Sequence, residues 1–220
     1  MSTIASRLDK IRSKLQPQTH LMAVSKTMPI EAIMEACAAG QRDFGENKVQ
    51  DLFKKSIELK SFAINWHFIG HLQSNKINQL LSVPHLKSIH SIDSNNLLKK
   101  LLQKKVDAKI GLFLQVNTSG ESEKSGFESN NELLTGMELI SESSSFYLQG
   151  LMTIGKLRSD NFLADAEVCF EKLFILKEEL EKESGTKLEL SMGMSQDFEI
   201  AQRFQSNWVR IGSDIFGPRK

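Results

Sequence analysis

The sequence predicts an α/β fold: a single (β/α)8 TIM barrel over residues 1–220, with an extra N-terminal helix. Three observations carry that expectation. Eight short apolar runs read as strands, helical runs separate them, and 220 residues suffice for one large domain. Strict alternation implies parallel strands joined by helical crossovers. Eight repeats suggest a closed barrel, with a doubly wound open sheet as the rival architecture. No linker, low-complexity tract or internal repeat divides the chain.

The elements follow in order. Residues 1–14 are polar and helical in character. Residues 21–24 form an apolar strand ending in Ser25-Lys26. Pro29 fits a helix's first turn, and 30–39 is helical until Gly40. Phe44 ends a short strand, and 49–59 is helical. Then come a strand at 66–69, a helix at 76–81, a strand at 88–92 and a helix at 97–106. Residues 110–116 make the clearest strand, followed by a helix at 131–140 and a strand at 146–152. The long helix 162–183 repeats Cys169, Leu173, Leu176 and Leu180 at helical spacing. Strand 188–190, helix 196–204 and strand 208–211 complete the order. Residues 117–130, rich in Ser, Glu and Gly, are expected to be a solvated surface loop.

Composition excludes several function classes. Lys+Arg 28 against Asp+Glu 27 leaves a net charge of +1, which argues against a nucleic-acid or membrane surface made by bulk charge. The N-terminus lacks the apolar run of a signal peptide, and no stretch approaches the ~20 apolar residues of a membrane span. A cytoplasmic location is therefore expected, and the modest inventory of apolar surface residues makes a monomer the expected state. Cys37 and Cys169 lie in apolar-periodic segments and read as reduced, buried thiols. His67 and His71 flank Gly70, and no HExxH or paired-cysteine pattern occurs, so no metal site is expected. His67 reads as a satisfied core residue and His71 as a site-rim residue.

In a barrel, the C-terminal ends of the strands line the active face. Here they carry Lys26, Glu46, Asn47, Gly70, His71, Asp93, Asn117, Thr153 and the clusters 191–195 and 210–213. The two clusters follow the seventh and eighth strands, where barrels frequently hold a phosphate. Gly193 and Gly212 would let backbone approach closely, and Ser195 and Ser213 add hydroxyl donors. The stretch 212–217 is no nucleotide-hydrolase phosphate loop, because Pro218 stands where that loop needs lysine. An amine at Lys26, if its pKa is lowered by burial and nearby positive charge, could attack an aldehyde. Arg210, if it faced the ring nitrogen of a pyridine cofactor, would donate a hydrogen bond and make the ring a weaker electron sink. The Met152, Met192 and Met194 group reads, from the residues alone, as core packing.

The motifs then assemble into a resemblance. They are Ala23-Val24-Ser25-Lys26-Thr27, Phe44-Gly45-Glu46-Asn47-Lys48-Val49-Gln50, Trp66-His67-Phe68-Ile69-Gly70-His71-Leu72-Gln73-Ser74-Asn75-Lys76 and His90-Ser91-Ile92-Asp93. Gln115-Val116-Asn117-Thr118-Ser119-Gly120-Glu121, Gly150-Leu151-Met152-Thr153-Ile154-Gly155, Leu190-Ser191-Met192-Gly193-Met194-Ser195 and Val209-Arg210-Ile211-Gly212 continue the series. In this order they resemble the YggS/PROSC-type pyridoxal-phosphate-binding proteins, the PLP homeostasis proteins.

That resemblance implies a fold like the N-terminal domain of alanine racemase. It implies pyridoxal 5'-phosphate (PLP) held by Lys26 as an internal aldimine, with Arg210 facing the pyridine nitrogen. Ser195, Gly212 and Ser213 would hold the phosphate, Asn47 would contact the ring side, and Met192 and Met194 would line the pocket. Ser213 stands where the family commonly has threonine, which keeps the hydroxyl. Residues 204–208 depart from the family's glycine-containing approach to the last strand. The implied role is vitamin B6 and amino-acid homeostasis without catalysis, with PLP-dependent apo-enzymes or amino acids as partners. The alternative is a PLP-dependent amino-acid racemase or a related fold-type III enzyme. A racemase-like reaction would need a second base, a tyrosine from a second domain of the partner subunit. A chain ending at Lys220 is expected to lack that domain, and the single tyrosine, Tyr147, opens a strand toward the wrong end of the barrel.

Overall fold

Strand β1 (His20–Val24) hydrogen-bonds in parallel to both β2 (Asp43–Glu46) and β8 (Trp208–Ile211), and that second pairing closes the sheet. Between them run β3 (Asn65–Phe68), β4 (Leu86–Ile92), β5 (Ile110–Gln115), β6 (Phe146–Met152) and β7 (Glu189–Ser191), each beside its sequence neighbour. The open-sheet rival is thereby excluded. The computed structural model describes residues 3–121, 123–156 and 159–217.

The helices α1 (Ile4–Arg12), α2 (Ile30–Ala38), α3 (Val49–Glu58), α4 (Ile77–Leu81), α5 (Asn95–Leu102), α6 (Asn130–Ser141), α7 (Phe162–Ser184) and α8 (Phe198–Arg203) surround the barrel. A short α9 (Ser213–Phe216) follows the last strand, where only a tail was expected. Two stop signals were misread from sequence. Helix α5 begins at Asn95, because Ser94 Oγ accepts the Leu97 N–H, and it ends at Leu102 rather than 106. The Val106 N–H is instead taken by Ser145 Oγ. Strand β2 runs past Phe44 to Glu46, because Gly45 faces the barrel interior, where a Cβ would lie 2.6 Å from Met22 Sδ.

Alternation along each strand splits the core in two. Outward residues such as Ala23, Phe44, Leu112, Leu151, Leu190 and Val209 pack against the helices in one continuous apolar layer. Each such leucine or phenylalanine fully buried stabilises the fold by roughly 1.5–3 kcal/mol. Inward residues form a smaller cluster of Met22, Phe113, Met152 and Trp208, with polar neighbours His67, Ser88, His90, Ser191 and Arg210. Helix α7 buries Ala166, Cys169, Phe170, Leu173 and Leu180 on one face.

The segment after β5 is more than a solvated loop. Val116 bridges Phe127, Phe127 is buried, and Asn117 Nδ2 donates to the Glu121 carbonyl at 3.0 Å. Cys37 and Cys169 are free and buried. Among the described residues, no helix is long and apolar enough to cross a membrane.

Candidate functional site

The C-terminal mouth of the barrel holds a cavity of about 520 Å³. Seven of the expected site residues line it: Lys26, Asn47, Met194, Ser195, Arg210, Gly212 and Ser213. Gly70 and His71 also line it, with apolar walls from Val24, Ile69, Met152 and Ile154. Met192 does not. Its position in the chain points its side chain outward into the helix-facing core, where it is fully buried.

Strand ends place the polar groups. Lys26 follows β1 and is half-buried, and Thr27 after it adopts φ 66°, a conformation β-branched residues rarely take. Arg210 projects inward from β8. Its Nη1 donates to the Ser191 carbonyl at 2.7 Å and Ser191 Oγ at 2.8 Å, and its Nη2 to the Thr153 carbonyl at 2.9 Å. Burial lowers its pKa to about 10, opposed by the charge of Asp197, so it remains a cation at neutral pH. Ser213 Oγ donates to Ser195 Oγ at 3.0 Å and joins the last two loops at one edge of the cavity.

The glycines of these loops act differently from each other. Gly212 lines the cavity, and a Cβ there would sit 3.2 Å from the Val24 carbonyl oxygen. Gly193 has φ +95°, and its missing Cβ leaves room for helix α8: a Cβ would lie 2.7 Å from that of Ala201. Its role is packing rather than approach to a ligand.

Other strand-end residues are turned away from the cavity. Glu46 is fully buried; its Oε1 accepts from Ser25 Oγ at 2.7 Å and Lys55 Nζ at 2.7 Å. Burial pushes the Glu46 carboxyl up, although the Lys55 ammonium and the two hydrogen bonds pull it down. Asp93 Oδ2 lies 3.0 Å from His71 Nδ1, and Asn117 braces its own loop. Asp197 Oδ1 accepts the Met194 N–H, which shapes the turn before α8. Sequence reasoning missed Met28, Phe162 and Phe216 in the cavity wall; apolar residues in helix-flanking positions carry no sequence signal that separates wall from core. Among the described residues, no group of three His, Cys, Asp or Glu side chains could hold a metal ion. Tyr147 is 43% exposed at the start of β6 and outside the cavity.

Residues 1–220 match the family model described as the alanine racemase N-terminal domain. The pyridoxal phosphate homeostasis protein of Schizosaccharomyces pombe is 42% identical over 226 residues, covering 100% of this chain and 94% of that protein. PipY of Synechococcus elongatus, solved with PLP bound, superposes with a TM-score of 0.88 at 36% identity, over 98% of this chain and 100% of that one. Alanine racemase from Corynebacterium glutamicum shares the fold, with a TM-score of 0.73 at 16% identity, over 98% of this chain and 60% of the racemase.

Proposed function

Because the chain belongs to the family of the alanine racemase N-terminal domain and the pyridoxal phosphate homeostasis proteins, we propose that it binds PLP at the barrel mouth and serves in PLP and amino-acid homeostasis. The observation that carries this reading is one cavity lined by a primary amine, a guanidinium and a linked pair of hydroxyls, Lys26, Arg210 and Ser195–Ser213. That donor set fits the three reactive ends of the cofactor: aldehyde, ring nitrogen and phosphate. Gly212 lines the same cavity, and its missing Cβ lets the last loop pack tightly against Val24 of β1.

Bound PLP supplies an aldehyde that captures amines and a ring that can delocalise negative charge. The residues around it decide how far that goes. Lys26 holds the cofactor covalently through its ε-amine. Arg210 donates to the ring nitrogen; a guanidinium that stays protonated keeps that nitrogen from taking a proton and weakens the ring as an electron sink. Ser195, Gly212 and Ser213 hold the phosphate, and Asn47 and Met194 flank the ring. The cavity offers no tyrosine as a second base, since Tyr147 lies outside it. The protein therefore carries the cofactor without completing catalysis, as one cytoplasmic domain over residues 1–220, monomeric, with apo-enzymes or amino acids as partners and neither nucleic acid nor membrane. Two free buried thiols suit a reducing compartment.

The test is reconstitution with PLP, borohydride reduction and peptide mass spectrometry. The reduced cofactor is expected on Lys26, and Lys26→Ala protein is expected to stay colourless. Label on another lysine defeats the assignment of Lys26. Multiple turnovers of L- or D-amino acids, abolished by Lys26→Ala, would replace this reading with a racemase.

A further inference from the structure

A polar column crosses the barrel interior, from the first residue of β2 to the floor of the cavity. Asp43 Oδ1 lies 3.0 Å from His67 Nε2, and His67 Nδ1 lies 2.6 Å from Ser88 Oγ. Ser88 Oγ lies 2.6 Å from His90 Nε2, and His90 Nδ1 lies 2.9 Å from Ser191 Oγ, which Arg210 Nη1 reaches at 2.8 Å. An apolar sheath surrounds it. His90 stacks on Phe113 at 4.0 Å, and Trp208 packs against His67 at 5.0 Å and His90 at 5.9 Å.

Counting protons gives the column one direction. Arg210 can only donate, so Ser191 Oγ accepts from it and passes its own hydrogen to His90 Nδ1. His90 then carries its proton on Nε2 and donates to Ser88, whose hydrogen goes to His67 Nδ1. His67 is left with its proton on Nε2, facing Asp43, which can only accept when ionised. Reversing the chain would set Ser191 without an acceptor at one end and a bare imidazole nitrogen against a carboxylate at the other. With both rings neutral, every link is satisfied in one orientation alone, and in a dry interior such chains reinforce one another.

We propose that Asp43 is a positioning residue for Arg210, acting through this oriented column to fix both histidine tautomers and the guanidinium at the cavity floor. Its effect on the cofactor rests on the PLP reading above; the column itself does not.

The experiment is nitrogen-15 NMR of the histidine rings in the PLP-free protein. His67 and His90 should each appear as the neutral tautomer protonated on Nε2. Asp43→Ala should leave His90 as a mixture and speed exchange of the Arg210 guanidinium protons, whereas Asp43→Asn, which keeps an acceptor, should preserve both signatures. On PLP titration Asp43→Ala should bind roughly three- to tenfold more weakly, and Asp43→Asn near the parent value. A proton on Nδ1 of either ring in the parent protein overturns the proposal without any variant. So does an Asp43→Ala protein whose His90 tautomer and Arg210 exchange are unchanged. If the parent takes up no PLP, the cofactor reading fails while the NMR result still decides the column.

Discussion

Lys55 Nζ on α3 lies 2.7 Å from Glu46 Oε1 and 2.8 Å from the carbonyl oxygen of Ser25, so a buried ion pair is tied to the residue just before Lys26. The Lys55 side chain is 11% exposed and that of Glu46 is 0% exposed. A pair so placed contributes by being complete: removing one partner strands the other charge away from water. Lys55→Met should therefore lose about 3–5 kcal/mol of stability in urea titration. Lys55→Met combined with Glu46→Gln should recover much of it. A single variant as stable as the parent would show that the pair is not a buried charge pair in solution.

Ser195 and Ser213 give a prediction about ligand selectivity. If they hold a phosphate, replacing both by alanine should weaken PLP binding roughly tenfold or more, since hydrogen bonds to charged groups are the stronger kind. Pyridoxal, which lacks the phosphate, should bind the variant as it binds the parent. Titration of both ligands separates the outcomes; equal losses for the two would remove the phosphate role.

Gly193 meets two constraints at once, φ +95° and the nearby Ala201 Cβ, whereas Gly120 has φ +71° with nothing within 4 Å of a built Cβ. Gly120→Ala should lower stability by about 1 kcal/mol from backbone strain alone. Gly193→Ala should add a packing penalty of about 1–3 kcal/mol. Thermal melts that rank the two variants the other way would contradict this packing of α8 on the seventh loop.

His90 makes stability depend on pH. Burial first, then the neighbouring His67 ring and the Arg210 cation, hold its pKa well below 6.5, the ordinary histidine value. The unfolded chain thus binds a proton that the folded chain refuses, so stability falls as pH drops below that value. Glu46 and Asp197, whose carboxyls burial pushes up, act in the opposite sense at lower pH. The informative quantity is therefore a difference: His90→Gln should lose less stability than the parent between about pH 7 and 5.5. Parallel melting curves across that range would mean His90 titrates normally.

Much of this was legible in the chain. Alternating strand and helix runs predicted the barrel, because strand period and helix period are local properties of side-chain order. Polar residues at strand ends predicted the mouth, because apolar strands leave only their C-terminal turns for ligands. Ser195, Gly212 and Ser213 stood out for that reason, and they do share a cavity with Lys26 and Arg210. Met192 and Met194, two residues apart, would share a face in an extended strand, but Gly193 between them turns at φ +95°, so one lines the cavity and the other is core. Residues 117–130 looked solvated because their composition is polar, yet Phe127 is buried beneath them.

Sequence alone determined that strands and helices alternate, that Lys26 comes just after the first strand and that two Gly–Ser clusters come just after the last two. Tertiary structure alone decided that Glu46 turns away toward Lys55 and that Asp43, His67, Ser88, His90 and Ser191 form one line to Arg210. These residues come from four strands, β2, β3, β4 and β7, and meet Arg210 on β8. Closure of the sheet brings His90 on β4 within reach of Ser191 on β7, and a donor-only guanidinium at one end with an acceptor-only carboxylate at the other gives their order a single direction.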